Sequence, residues 1–157
     1  MKNQVEKLFY ISPRDVRKNR ADAVHIMLSC QAFAGLNVDV ELITPSVKRD
    51  EYVVSKNSIF GLYNIKKPNF KVTELNTIIS EIQKNKTKPY RIVISKFKEF
   101  LLYGYENRKA LNSKQHIIYS KCYISTIPFI LLKKIGLISS PIIFEAITPK
   151  ESLLHKI

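Results

Sequence analysis

The segment Val5–Pro45 has the sequence VEKLFYISPRDVRKNRADAVHIMLSCQAFAGLNVDVELITP and decides the fold class. Its first part, Leu8–Ser12, is apolar and rich in β-forming residues. Apolar side chains then recur at helical spacing over Ala23–Ala34, and Gly35 follows as an expected helix stop. Val38–Thr44 alternates like a strand. The order strand, helix, strand predicts a βαβ unit, and hence a parallel sheet with helices on its faces.

The loop between the first strand and the first helix, Pro13–Arg20, is dense in charge. In parallel sheets, ligands bind beyond the carboxyl ends of the strands, which is where this loop lies. Asn19 is a favourable N-cap, and Asp22 stands three residues later, as in a capping box. At the other end of the helix we expect a left-handed Gly35, with Leu36 making the apolar contact of the cap.

The remainder of the chain alternates between predicted helices and strands. A short apolar turn at Ile59–Tyr63 precedes Asn64, a residue type that tolerates a positive φ. Further predicted elements are strands at Phe70–Leu75, His116–Tyr119 and Pro141–Glu145, and helices from Pro89 to about Asn112 and from Ser120 to about Gly136. The pattern predicts one α/β domain over residues 1–157. We expect a Rossmann-like, three-layer domain with a mostly parallel sheet and helices on both faces.

Composition narrows the class of protein but does not select a ligand. The 157 residues suffice for one domain with a core, and 26 basic against 13 acidic residues give a formal net charge of +13. Such a surface attracts nucleic acid, anionic lipid and phosphorylated ligands alike, and it also fits a basic surface that simply faces water. Neither a signal peptide nor an apolar run of roughly 20 residues is present, so we expect a cytoplasmic protein, or one peripheral to the inner face of the membrane.

Reactive side chains do not cluster in the sequence. Cys30 and Cys122 fall among apolar residues of predicted helices, which indicates buried, reduced thiols. His116 and His155 have no partner at metal-ligand spacing, and His25 is expected to be a partly buried structural residue. The four glycines form no G-x-G-x-x-G or Walker pattern. We therefore predict no metal and no cofactor.

Four segments resemble the N-terminal half of a GT-B glycosyltransferase of family four, whose members use sugar-nucleotide donors. The likeness covers nearly the whole chain in the expected order. It rests on the helix Arg20–Ala34 with the "G-x-x-V-x-L" strand Leu36–Ile43, on Tyr63–Ile65 with Phe70–Val72 as a "Tyr-Gly-Ile, then Phe-x-Val" passage in which Asn64 replaces Gly, on Ile118–Lys121 as "Ile-Tyr-Ser-Arg", and on Ile143–Ala146 as "Ile-x-Glu-x-His".

The resemblance implies half of a GT-B fold: the acceptor-binding domain of an enzyme that transfers a sugar from a nucleotide-sugar donor to a glycan or lipid-linked acceptor. In that family the donor lies mainly on a C-terminal domain with paired glutamates, which these residues do not contain, so the chain alone is expected to be catalytically incomplete. The family often has a His two residues after the glutamate. Ile147 stands there instead, and no catalytic residue is assigned.

The resemblance places acceptor binding at the ends of the first and fourth strands and of the last strand. Helix N–H groups and the forked donors of an arginine suit such a role. The alternatives remain open: capping for the residues at helix ends, a solvated side chain for Arg20, and a structural hydrogen bond for Glu145. The predicted acceptor-binding residues are Asn19, Arg20, Ala21, Asp22, Ser120, Lys121 and Glu145.

The helix from Pro89 to Asn112 is both basic and aromatic. It can contact an anionic membrane surface through Lys96, Phe97, Lys98 and Arg108, or pack on the sheet with its lysines in water. The alternative function is therefore a non-enzymatic basic α/β module that binds nucleic acid or an anionic membrane surface. Since no recognised nucleic-acid motif is present and the aromatic residues fall on predicted core faces, the glycosyltransferase domain is preferred.

Overall fold

The structure, a computed structural model, describes residues 5–17, 20–46, 56–76 and 89–145. Within these ranges strands and helices alternate along the chain. The strands are β1 (Lys7–Ile11), β2 (Asp39–Ser46), β3 (Phe70–Asn76), β4 (His116–Ser120) and β5 (Ile142–Phe144), and the helices are α1 (Ala21–Ala34), α2 (Lys56–Leu62), α3 (Pro89–Glu106) and α4 (Tyr123–Lys134).

The strands form one parallel sheet in the order β3-β2-β1-β4-β5. Tyr10 of the central strand pairs with Leu42 of β2 on one side and with Tyr119 of β4 on the other. In chain order, β2 and β3 are added on one side of β1, and β4 and β5 are then added on the other side. Because crossovers between parallel strands are right-handed, α1 and α4 lie on opposite faces. The predicted α/β class, a Rossmann-like three-layer domain, is confirmed.

The sheet separates two apolar cores. On β1, Leu8 and Tyr10 pack with α1 and α2, whereas Phe9 and Ile11 pack with α3 and α4. A strand buried on both faces is apolar without alternation, which explains the continuous apolar run at the start of the chain. Fully buried side chains include Tyr10, Met27 and Leu42 in the first core and Phe9, Phe100 and Phe129 in the second.

The start of α1 has a different cap residue from the predicted one. Asn19 lies outside the described residues, and the cap position belongs to Arg20, whose backbone is extended at φ −119°. Its side chain makes no capping hydrogen bond. Asp22 instead accepts the N–H of Ala23 at 3.0 Å, and its carboxylate lies at the positive end of the helix dipole.

The predicted left-handed cap at Gly35 is wrong. Gly35 keeps helical angles, φ −63° and ψ −16°, and the left-handed residue is Asn37 with φ 61°. The reversal comes two residues later because the N–H groups of Leu36 and Asn37 continue the turn, bonding carbonyls three residues earlier at 3.0 and 3.1 Å. Leu36 is 71% exposed, so the apolar contact predicted for it is not made.

Two further predictions from the sequence, the positive φ of Asn64 and the end of α3, can be compared with the structure. Asn64 has the positive φ predicted for it, at 54°. α3 ends at Glu106, short of the predicted Asn112. Beyond Glu106 the chain is held by a distant loop, since the carbonyl of Leu111 accepts the N–H groups of Ser139 and Ser140 at 3.2 and 3.1 Å.

The two cysteines are free thiols, as predicted. Cys30 is fully buried in α1, and burial raises the pKa of its thiol. Cys122 is only half-buried, so the prediction of two buried thiols holds for Cys30 alone. The difference follows from position, because Cys122 is the N-cap residue of α4, whereas Cys30 lies inside α1.

A buried carboxylate, Glu41, connects the first three strands on the face covered by α3. Its Oε2 lies 2.9 Å from Lys7 Nζ on β1, and its Oε1 accepts a 2.6 Å hydrogen bond from Thr73 Oγ1 on β3. Burial alone would raise the pKa of Glu41. The hydrogen bonds from Lys7 and Thr73, together with the positive charges of Lys7 and Lys71, outweigh burial, so the pKa of Glu41 lies below its ordinary value of 4.5.

The close contact between α3 and α4 predicts opposite effects for two glycine substitutions. A Cβ at Gly104 would lie 2.5 Å from Leu132 Cδ1 and 3.1 Å from Phe129 Cε1, whereas a Cβ at Gly61 meets nothing within 4 Å. Gly104→Ala should lower the free energy of unfolding by about 1–2 kcal/mol, because overpacking exceeds the gain in helix propensity. Gly61→Ala should leave it unchanged or raise it by up to about 1 kcal/mol. Urea denaturation of both variants measures the difference, and equal midpoints would contradict this packing.

Glu41 should make stability depend on acidity. A carboxylate with a lowered folded-state pKa contributes fully above its unfolded pKa, and the contribution is lost as the pH falls through the folded pKa. Glu41→Gln should therefore cost about 1–3 kcal/mol at neutral pH and less in acid. Urea denaturation at several pH values between neutral and about pH 3 tests this.

Asp39 supplies the matched control for Glu41. It also pairs with Lys7, at 3.3 Å, but its side chain is 63% exposed. Asp39→Asn should change the free energy of unfolding by less than about 1 kcal/mol, since exposed pairs contribute little. An equal loss in the two variants would mean that burial of Glu41 does not govern the effect.

Candidate functional site

A cleft opens at the carboxyl edge of the sheet, between the ends of β1 and β4. The strand order places these neighbours where the chain leaves the sheet in opposite directions, toward α1 and toward α4, and such a switch point leaves a crevice. The cleft has a volume of about 570 Å³, within the range of small-ligand sites. Its lining residues are Tyr10, Ile11, Ser12, Pro13, Arg14, Ala21, Asp22, His25, Ile26, Lys121, Cys122 and Glu145.

The loop after β1 is fixed on three sides. Its start is joined to β2, because the N–H of Ser12 bonds the carbonyl of Ile43 at 2.9 Å. Its turn is closed by Ser12 Oγ, which accepts the N–H of Arg14 at 3.1 Å. From the other face of the sheet, Lys96 Nζ of α3 donates to the carbonyl of Pro13 at 2.9 Å. The loop therefore presents a defined surface to the cleft.

One wall of the cleft carries an ion pair between the loop and α1. Arg14 Nε lies 3.2 Å from Asp22 Oδ2, and both side chains are largely exposed. Ala21, the first residue of α1, lines the cleft next to this pair. Two of the predicted acceptor-binding residues, Ala21 and Asp22, are thus in the cleft. Arg20 is exposed but is not part of the lining, and Asn19 lies outside the described residues.

The opposite wall carries a second ion pair, built from the ends of β4 and β5. Glu145 Oε2 lies 3.0 Å from Lys121 Nζ and accepts a hydrogen bond from the hydroxyl of Tyr119. The backbone continues the parallel pairing, since the N–H of Glu145 bonds the carbonyl of Ser120 at 3.0 Å. Two further predicted residues, Lys121 and Glu145, are therefore in direct contact.

The second pair keeps its carboxylate ionised. The pKa of Glu145 lies below its ordinary value, chiefly because the Tyr119 hydroxyl donates to it and also because Lys121 and His25 are nearby. Burial, together with the same contact, raises the pKa of Tyr119, so its proton stays on the phenol oxygen at neutral pH. Glu145 is thus a hydrogen-bond acceptor and a weak base.

Ser120 does not cap α4 as predicted. The helix begins at Tyr123, and Cys122 occupies the cap position. Ser120 is fully buried, with its Oγ 2.9 Å from Ser125 Oγ and accepting the N–H of Cys122 at 3.3 Å. It joins the strand to the helix beneath the cleft surface and is not among the lining residues.

Three residues of this site were not singled out by the sequence. His25 is exposed and lines the cleft, with Nδ1 3.3 Å from Ser29 Oγ, so the prediction of a partly buried histidine is wrong. Arg14 belongs to the charged loop, whose position was predicted but whose individual side chains were not distinguished. Tyr119 looked like an ordinary strand residue. The spacing in the sequence indicates only that Tyr119 and Lys121, two residues apart at the end of β4, can lie on one face; that both reach Glu145 depends on the pairing of β4 with β5.

In the cleft, each cationic side chain lies next to a carboxylate, so hydrogen-bond donors and acceptors come in pairs and their charges compensate one another. Two carboxylates and two cations face the cleft as ion pairs, and the phenol of Tyr119 is already bonded to Glu145. Within the described residues, no group of three or more His, Cys, Asp or Glu side chains is placed to hold a metal ion. The site suits a neutral, polar ligand that can replace or bridge the ion-pair hydrogen bonds.

Replacing Tyr119 tests this electrostatic arrangement. Tyr119→Phe keeps the ring but removes the hydroxyl that donates to Glu145, so the pKa of Glu145 should rise toward 4.5. Titration of the carboxyl carbon by NMR measures the shift. Tyr105→Phe, an exposed tyrosine on α3, is the control and should leave the pKa of Glu145 unchanged. Identical titration curves for the two variants would contradict the Tyr119–Glu145 contact.

Comparison with known proteins adds no relative to this description. No family model, no curated protein and no solved structure matches the chain.

Proposed function

We propose that this chain is the acceptor-binding domain of a glycosyltransferase that uses a nucleotide-sugar donor and a glycan or lipid-linked acceptor. The observation that carries the proposal is the cleft at the switch point of the sheet, with its two facing ion pairs, Arg14–Asp22 and Lys121–Glu145. Of the seven residues that the family resemblance predicts for acceptor binding, four line this cleft: Ala21, Asp22, Lys121 and Glu145.

The chemistry of the cleft favours a sugar over a nucleotide. Each sugar hydroxyl both donates and accepts, so it can bond a carboxylate and a cation of the same pair. A diphosphate needs uncompensated donors such as a glycine-rich loop, and both cations of the cleft already face carboxylates. This supports the acceptor as the ligand, with the nucleotide-sugar donor held mainly by another domain.

The proposed role of the chain is positioning rather than proton transfer. Glu145, with its lowered pKa, holds and orients a sugar hydroxyl but is a weak base at neutral pH. Stabilisation of the departing nucleotide diphosphate falls to the donor domain. Ile147, which stands where the family often has His, lies outside the described residues.

Acceptor binding is tested by NMR on the chain itself, with a panel of neutral oligosaccharides and lipid-linked saccharides. We expect shifts confined to cleft residues for at least one saccharide. Glu145→Gln should weaken that binding about tenfold, because it removes a charged hydrogen-bond acceptor. Glu106→Gln, an exposed acid at the end of α3 outside the cleft, is the matched control and should bind like the unaltered chain.

Three results would contradict the proposal. The first is binding of DNA or RNA, but of no saccharide, with an affinity that falls steeply with salt, which would favour the nucleic-acid module. The second is sugar transfer by this chain alone from a nucleotide-sugar donor, which would place the donor site here. The third is a saccharide that binds Glu145→Gln as tightly as it binds the unaltered chain, because the cleft would then not be its binding site.

A further inference from the structure

An apolar groove of about 830 Å³ is lined by α3, by Leu132 of α4 and by Ile135 and Leu137, which follow the end of α4. It shares no lining residue with the cleft. Four of its large apolar side chains, Ile94, Leu102, Tyr105 and Ile135, are about half exposed or more. Its lining residues are Arg91, Ile94, Ser95, Lys98, Glu99, Leu101, Leu102, Tyr105, Leu132, Ile135 and Leu137.

The exposed side chains that line the groove on α3 form a continuous stripe along one face of the helix. Arg91, Ile94, Lys98, Leu102 and Tyr105 follow one another at spacings of three or four residues, so they share one face of the helix. An exposed helix face that carries both large apolar and basic side chains is suited to bind an amphipathic surface.

Basic side chains, here called the basic rim, alternate with the apolar ones. Arg91 and Lys98 line the groove itself, and the Arg108 guanidinium lies 4.6 Å from the ring centroid of Tyr105. Among the described lining residues, Glu99 is the one acid, and it accepts a hydrogen bond from Ser95 at 3.0 Å. Two of the residues predicted to contact a membrane, Lys98 and Arg108, are therefore at this groove.

The other two predicted membrane contacts are not part of the groove. Lys96 Nζ reaches Pro13 in the loop beside the cleft, and Phe97 is half-buried and does not line the groove. The helix thus has separate faces, and the stripe that contains Lys98 is the exposed one.

The positive charge around the groove distinguishes between two possible occupants, a second copy of this chain and an anionic surface. A second copy of the chain would bring two basic rims together on molecules of formal charge +13 each, which like-charge repulsion disfavours. We propose instead that this groove docks on an anionic lipid surface. Ile94, Leu102, Tyr105 and Ile135 enter the boundary between head groups and acyl chains, and the basic rim contacts the lipid phosphates. No described helix is long and apolar enough to cross a bilayer, so the contact is with the surface.

Vesicle sedimentation tests the docking, with phosphatidylglycerol vesicles compared with phosphatidylcholine vesicles. We expect binding to the anionic vesicles alone. The double variant Arg91→Glu/Lys98→Glu should weaken it at least about tenfold. The control Lys66→Glu/Lys67→Glu makes the same change in charge at two exposed lysines before β3 and should bind much more tightly than the groove variant.

A second pair of variants separates docking from simple attraction between a basic protein and an anionic surface. Ile94→Ser/Leu102→Ser removes apolar area from the groove without changing charge, and it should also weaken binding about tenfold. Leu28→Ser/Leu36→Ser removes two exposed leucines at α1 and should not. Circular dichroism checks that all variants are folded.

Three results would overturn the proposal. One is failure of the unaltered chain to bind the anionic vesicles. Another is binding that survives Ile94→Ser/Leu102→Ser, since apolar contact would then play no part. The third is a dimer in analytical ultracentrifugation that the groove variants, but not their controls, dissociate, because a second copy would then be the occupant. The proposal is independent of which ligand the cleft binds.

Discussion

The parallel register of β1 against β2 and β4 is the constraint on which the rest of this structure depends. All five residues of β1 pair with β2 on one side and with β4 on the other. Its buried residues Leu8–Ile11 contribute to both cores. A slip of one residue would exchange the faces of every side chain and place Tyr10 under α3. The same register brings the ends of β1 and β4 side by side, so the position of the cleft follows from the packing of the strand.

The cleft and the groove illustrate two different uses of charge by a basic protein. In the cleft, cations are matched by carboxylates at hydrogen-bond distance, as in Lys121–Glu145 and Arg14–Asp22. Around the groove, Arg91, Lys98 and Arg108 border an apolar stripe. The ion pairs are the basis for proposing a neutral ligand in the cleft, because they offer directional hydrogen bonds, and the basic side chains are the basis for proposing an anionic surface at the groove. The formal charge of +13 alone distinguishes neither site.

Hydrophobic periodicity was sufficient to predict the fold, because it records which faces are buried, and burial contributes most of the folding free energy. Helix caps were less predictable. Whether Gly35 or Asn37 takes the left-handed conformation depends on whether the next two N–H groups continue the turn, a balance of single hydrogen bonds that periodicity does not record. In the cleft, strand-end positions such as Lys121 and Glu145 were accessible to sequence reasoning. The role of Tyr119 was not, because it requires the register between β4 and β5.

The hydrogen bond from Lys96 to the carbonyl of Pro13 means that α3 positions the loop after β1 in addition to packing in the core. One face of this 18-residue helix holds the loop that forms the edge of the cleft, and another carries the exposed stripe. A helix of that length is a rod of about 27 Å. If the stripe docks on a surface as proposed, the same helix sets the distance and the tilt of the cleft opening relative to that surface, and a ligand carried on the surface would meet the cleft in a defined orientation.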